Sequence, residues 1–272
     1  MLAAFGVAEH VELTPLRGGV DQTAWRAGDV VVKPVQGTSH AEGDWIAEVF
    51  DAIVEDAFRV IKPVRADDGR WLEDGWVAWH WFEGDHLRTR WRDVLAAAEA
   101  FHRALAVAVD KVGVEPRPAW LNARGHRWAI AEGVVWRGDP LPMAADYDAA
   151  YYPWWERFRA AGPPLDVDEA RAAQVVHGDI ASNVLVGNDG VPVFIDMSPG
   201  WRTPASAEAQ ILVEGYAFYD GDESLLSGAP RADIARACAF RLLTGFQALA
   251  LGLTWSDGQM ARFGRILEVI EA

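Results

Sequence analysis

His177, Gly178, Asp179, Asn183 and Asp196 are the residues of this sequence whose types and spacing could most readily do chemistry. They frame two apolar runs, Asn183–Val186 and Val191–Ile195, on either side of Gly187-Asn188-Asp189-Gly190. Alternating apolar residues around an Asn/Asp/Gly turn predict a β-hairpin. Antiparallel pairing puts the start of the first strand beside the end of the second. Asp179, Asn183 and Asp196 therefore gather at one open edge. Oxygen donors in one place suit a hard cation such as Mg²⁺, which often binds through substrate phosphates. A carboxylate left free of metal can take a proton from an attacking hydroxyl. His-Gly-Asp alone arises readily by chance. That tripeptide followed by Asn-Val-Leu, a turn and an apolar strand ending in Ile-Asp is far more specific.

A catalytic Asp, a metal-binding Asn shortly after it and a metal-binding Asp after the next strand is the layout of kinase sites. The stretch resembles the aminoglycoside phosphotransferase and choline kinase-like families, small-molecule relatives of protein kinases. The resemblance implies a two-lobed, protein kinase-like α+β fold: a small N-lobe (1–82) with an antiparallel sheet and one helix, and a larger, mainly helical C-lobe (83–272). It implies Asp179 as catalytic base, Asn183 and Asp196 as Mg²⁺ ligands, and His177 as a buttress of the loop. Asn183 follows Asp179 by four residues, one fewer than the usual pattern of those families.

Several elements must position these groups. Val11–Leu16, Thr23–Ala27 and Val30–Val35 read as short strands, with Arg17-Gly18-Gly19 and Gly28-Asp29 as turns between them. The first turn can lay N–H groups over phosphates or be a plain turn. Lys33 ends the third strand and resembles the kinase lysine that pairs with α- and β-phosphates. Pro34 beside it requires the strand to end or to sit at an edge there. A helix is predicted near Ser39–Ile53. At about 100° per residue, Glu42 lies within its apolar face and Glu48 about 120° away. Glu42 is the expected partner of Lys33, with a capping box from Ser39 as the rival reading. Arg59–Arg65 and Arg70–Trp81 read as two further strands. In the resembling families the second runs into the interlobe linker, ending here at Gly84. Adenine would meet the His80 carbonyl and the Phe82 N–H.

Arg90–Val109 reads as a core helix carrying His102 on its apolar stripe. Residues 112–170 are rich in Trp, Pro and Asp, with helical pieces expected near Asn122–Trp136 and Ala144–Ala160. Pro153 is expected to break or kink the latter. Thr203-Pro204 announces a helix to about Phe218. Further helices are expected near Ala232–Leu253 and Gly258–Glu271. Only a few residues separate Asp196 from a helix, and the Arg of the protein kinase His-Arg-Asp motif is missing. Both points favour a small-molecule kinase over a protein kinase.

At 272 residues the chain has room for one large domain or two lobes, and 51% of it is hydrophobic. A net charge of −15 argues against nucleic acid, whose binding needs a basic face. Cys238, the one cysteine, falls on an apolar helical face and reads as packing. The N-terminus has neither the basic region nor the apolar run of a signal peptide. The longest apolar stretch, Leu242–Leu253, is too short to span a bilayer. A cytoplasmic location is the expectation. The expected activity is ATP- and Mg²⁺-dependent transfer of a phosphoryl group to a hydroxyl of a small molecule. An amino sugar or aminoglycoside-like polyol is the expected acceptor, from the resemblance and from the acids Asp139, Asp146, Asp148, Glu156, Asp166, Asp168 and Glu169. Arg202 beside the hairpin points instead to an anionic acceptor. The alternative is a kinase-like nucleotide-binding module without catalysis.

Overall fold

The computed structural model describes residues 1–8, 10–16, 24–35, 40–141, 152–249 and 255–272. The first glycine turn, Ser39 with its capping box, Asp146, Asp148 and Tyr151 lie outside the described residues. The N-terminal part is built from β1 (Thr14–Pro15), β2 (Trp25–Ala27), β3 (Val30–Pro34), helix α1 (His40–Ala52), β4 (Arg59–Val60), β5 (Pro63–Val64), β6 (Leu72–Glu73) and β7 (Trp76–His80). Its antiparallel sheet runs β1-β2-β3-β7-β5, and β6 also pairs with β7. Pro34 fits because the β2 ladder stops at Val32 while β7 continues to Trp76 opposite Pro34. One face of the sheet carries a small core of Phe5, Val32, Ala66 and Ala78. On the other, Phe50 of α1 packs edge-on to Trp79 at 5.8 Å.

The single strand expected over Arg59–Arg65 is two. Its first half, β4, pairs in parallel with the second strand of the hairpin predicted around Gly187–Gly190, Val193 opposite Arg59. Its second half, β5, pairs with β7. Lys62 lies at the division, where its ammonium donates to the carbonyls of Phe50, Asp51 and Ile53 at the end of α1. That capping satisfies orphan carbonyls and opposes the negative helix end.

After β8 (Asp85–His86) come α2 (Trp91–Val112), α3 (Ala119–Ala123), α4 (Arg127–Glu132) with a π turn to Arg137, α5 (Tyr152–Ala161) and α6 (Val167–Ala172). α5 is described from Tyr152, so Pro153 lies in its first described turn, and the expected break or kink falls beside residues outside the described ones. Then follow β9 (Gln174–His177), β10 (Val184–Val186), β11 (Pro192–Phe194), β12 (Pro199–Arg202), α7 (Pro204–Phe218), α8 (Arg231–Leu249) and α9 (Asp257–Glu271). Thr203 caps α7 as expected, its hydroxyl accepting from the Ser206 N–H. The whole is a two-lobed α+β fold.

Most aromatics of the 112–170 region are core: Trp136 and Trp155 are buried, and Trp120, Trp128, Tyr152 and Trp154 pack against the main core. Cys238 is buried as expected, which pushes its thiol pKa well up. No helix among the described residues is long and apolar enough to cross a membrane.

Candidate active site

The predicted hairpin forms. β10 and β11 pair antiparallel with Val184 opposite Phe194, and Gly190 takes the left-handed φ of 76° that the turn requires. The Ile195 N–H donates to the Asn183 carbonyl at 3.0 Å, carrying the pairing to the open end where Asp196 follows. Asp196 has φ 50°, a left-handed conformation uncommon for a residue with a side chain, at the point where the chain turns back. Beyond it, β12 lies antiparallel to β9, with Pro199 opposite His177. Sequence reasoning missed this pairing, because Pro199-Gly200 reads as a strand breaker. Beneath the hairpin, Phe194 stacks on Phe101 at 4.6 Å, and Phe58 packs edge-on to both.

His177 is a buttress in geometry. It is 1% exposed, its Nε2–H donates to the Ile195 carbonyl at 3.0 Å, and its Nδ1 accepts from the Asp179 N–H at 3.2 Å. Those two bonds fix the neutral tautomer, and burial pushes its pKa down. Within the loop, Asn183 Nδ2 donates to the Asp179 carbonyl at 2.7 Å and to Asp179 Oδ2 at 3.1 Å. Ser182 adds a bond to the same Oδ2 at 3.3 Å. The short loop thus locks Asn183 onto Asp179 through its amide N–H group. Asp196 Oδ1 lies 2.5 Å from Lys33 Nζ, with the two side chains 49% and 30% exposed.

Lys33 therefore bonds Asp196 and not Glu42. Glu42 does point inward, as its helical position required, but its Oε1 lies 3.6 Å from Arg124 Nη1. Arg124 in turn donates to the Pro199 carbonyl at 2.7 Å, so it ties α1 to the segment after Asp196. Glu48, outside the apolar face, accepts from Trp71 Nε1 at 2.7 Å.

The linker reaches the hairpin directly: β8 pairs with β10, Leu185 opposite His86. Gly84 is required there, since a Cβ would lie 2.7 Å from the Val186 carbonyl oxygen and 2.6 Å from the Phe82 ring. His80 uses its N–H on the Lys62 carbonyl, and Trp81 its own on Asp29. The Phe82 N–H and the His80 carbonyl have no partner in the described chain, so both are open to a ligand with a matching donor and acceptor.

Residues missed in the sequence lie under Asp179. Arg241 of α8 donates from Nη2 to Asp179 Oδ1 at 2.9 Å and from Nε to Glu214 Oε1 at 2.6 Å. Gln210 of α7 donates to the same Glu214 oxygen at 2.6 Å and to the Gly178 carbonyl at 2.8 Å. Glu214 and Arg241 each interrupt an apolar helical run, which is the signal that could have found them. Arg202 does not face an acceptor. It is 1% exposed, lies 4.0 Å above the Trp136 ring and donates to Gln210 at 2.6 Å. Burial of this β12 side chain overturns the expectation that it selects an anion. His102 is a core histidine as expected, bonded through Nδ1–H to Glu208 at 3.2 Å.

No cluster of three or more His, Cys, Asp or Glu forms a metal site among the described residues. Asn183 and Asp196 supply an amide oxygen and a carboxylate at one edge. That donor set fits a Mg²⁺ ion that keeps water and phosphate in its other positions.

No protein-family model and no curated protein matches the chain. Solved structures do. A spectinomycin phosphotransferase solved with ADP and spectinomycin is 14% identical, with 100% of this chain and 95% of that one covered, at a TM-score of 0.55. An aminoglycoside phosphotransferase from Alicyclobacillus acidocaldarius is 14% identical over 98% and 94% of the two chains, TM-score 0.57. The choline kinase LicA from Streptococcus pneumoniae is 12% identical over 96% and 93%, TM-score 0.56. At these identities the likeness is one of fold. The chain has the two-lobed, kinase-like fold shared by aminoglycoside phosphotransferases and the choline kinase family.

Proposed function

We propose that the protein is a small-molecule kinase that moves the γ-phosphoryl group of ATP to a hydroxyl. The observation that carries the reading is the open end of the hairpin. There a loop-locked Asp179 and Asn183 stand beside Asp196, and Lys33 from the opposite lobe reaches Asp196. The acceptor oxygen would attack the γ-phosphorus while the bond to the β,γ-bridging oxygen breaks and ADP leaves. Asp179 takes the hydroxyl proton. Lys33 pairs with the phosphates of the nucleotide, and the His80 carbonyl and Phe82 N–H hold its adenine. Asn183 and Asp196 would hold Mg²⁺, which neutralises charge on the phosphates.

For the acceptor we keep an amino sugar or aminoglycoside-like polyol. Its support is the spectinomycin bound by a protein of the same fold. The acids read from the sequence add little. Asp139 pairs with Arg137, Asp168 with Arg171 and Glu169 with Arg236, and Asp166 caps α6.

The test is a screen of amino sugars, aminoglycosides, choline and neutral polyols with labelled ATP and Mg²⁺, run on the parent protein and on Asp179→Asn. Turnover that falls ~10²–10⁴-fold in the variant with ATP binding kept is the expected result. Neither phosphorylated product nor ATP hydrolysis by the parent would leave the non-catalytic module as the better reading. Faster turnover of neutral or anionic alcohols than of their amino counterparts refutes the acceptor class and leaves the kinase standing.

A further inference from the structure

The bonds from Ser182 and Asn183 to Asp179 come from within its own loop, three and four residues on. They travel with the loop and cannot by themselves fix its carboxylate relative to the rest of the protein. Arg241 can, because it comes from α8, 62 residues away in sequence. It is held in turn. Glu214 is 1% exposed and accepts from Arg241 Nε at 2.6 Å and from Gln210 at 2.6 Å. Gln210 also holds the Gly178 carbonyl at 2.8 Å. Helices α7 and α8 thus grip the loop by its main chain at Gly178 and by its side chain at Asp179. Burial alone would lower the Arg241 pKa, yet Glu214 and Asp179 together raise it, so the guanidinium stays charged. Its planar fork can engage both carboxylates at once, where a point charge on a flexible stem would serve one.

We propose that Arg241, anchored by the buried Glu214, is a positioning residue that sets the orientation of the Asp179 carboxylate; the proposal rests on Asp179 being the base. Arg241 fixes Oδ1 and leaves Oδ2, with its two longer bonds, for the incoming hydroxyl.

Crystal structures of Arg241→Ala and of the double variant Arg241→Met/Glu214→Gln test the geometry without any need for activity. The double variant removes both buried charges together, so no unpaired charge stands in the way of folding. The Asp179 side chain should leave its present rotamer in both. An unchanged rotamer in either overturns the proposal, whatever the protein phosphorylates. Kinetics on an acceptor from the screen form the second arm. Loss of position should lower kcat ~10²-fold with the nucleotide KM unchanged. Millimolar guanidinium should restore part of the rate in Arg241→Ala, which a merely structural role would not allow. Full activity with Asp179 displaced overturns the proposal. If the parent phosphorylates nothing, the rotamers still decide the positioning, and it is the kinase reading that fails.

Discussion

Acidification from about pH 7.5 to about pH 5.5 should destabilise the fold through two histidines held neutral. His102 and His177 are each 1% exposed, and burial pushes both below the ordinary 6.5. The unfolded chain takes up protons as pH falls through 6.5, whereas the folded one resists until its lower pKa. Stability therefore falls with pH across this window. Each histidine that stays neutral contributes a loss of up to about 1.4 kcal/mol, or about 2.7 kcal/mol for the pair. For a chain of this size that is a fall in Tm of roughly 5–10 °C. The His177 share has a local consequence. A proton on Nδ1 would face the Asp179 N–H it now accepts from, and the loop 178–183 would lose its latch. Glu214 acts in the opposite sense, since burial raises its pKa and lets the folded protein take up a proton as pH falls. His102→Gln, which keeps an amide donor toward Glu208, isolates one histidine from that background. Thermal melts of parent and variant across the window form the assay. Over this window the variant should lose about 1.4 kcal/mol less than the parent. Equal losses in the two refute neutral burial of His102.

Nucleotide binding by calorimetry should weaken in Lys33→Ala and lose its Mg²⁺ dependence in Asp196→Ala; unchanged Mg²⁺–ATP binding in both would sink the kinase reading. Gly84→Ala should lower stability by about 1–3 kcal/mol, because its Cβ would press on the Val186 backbone oxygen as well as the Phe82 ring. A melting temperature equal to the parent's would show that the linker yields more easily than the packing implies. Lys62→Met should cost about 1–2 kcal/mol, since one half-exposed ammonium serves three carbonyls at 2.9–3.3 Å. Faster hydrogen exchange in the last turn of α1, with the hairpin unaffected, is the accompanying sign.

The hairpin was legible because turn residues and alternation are local. The α7 cap was legible for the same reason. What the sequence hid depends on contacts distant along the chain. Nothing near Lys33 announces that it meets Asp196 instead of Glu42. The partner that draws Glu42, Arg124, comes from a helical region whose geometry no periodicity defines. Arg202 looked available because it follows the hairpin closely, yet pairing of β12 with β9 turns it into the core. Arg241 was passed over because α8 carries several charges, Arg231, Asp233 and Arg236 among them, and only the fold shows which of them is turned to Asp179.

The mixed sheet β4-β11-β10-β8 has a further consequence. β4 precedes the linker, whereas β8 follows it on the same side as the hairpin, so the β4–β11 line of main-chain bonds joins the two lobes beside the covalent connection, and β8–β10 extends the sheet within the C-lobe. Sliding one lobe past the other would break ladder bonds worth about 1 kcal/mol each. Rotation about the seam breaks none. The cleft is therefore hinged as a book is, with this sheet as its spine. The hairpin is tethered at its turn by Arg59 to Asp189 at 2.6 Å and at its open end by Lys33 to Asp196. The first tether lies beside the spine and stays shut as the covers part, while the second joins the two covers as a clasp.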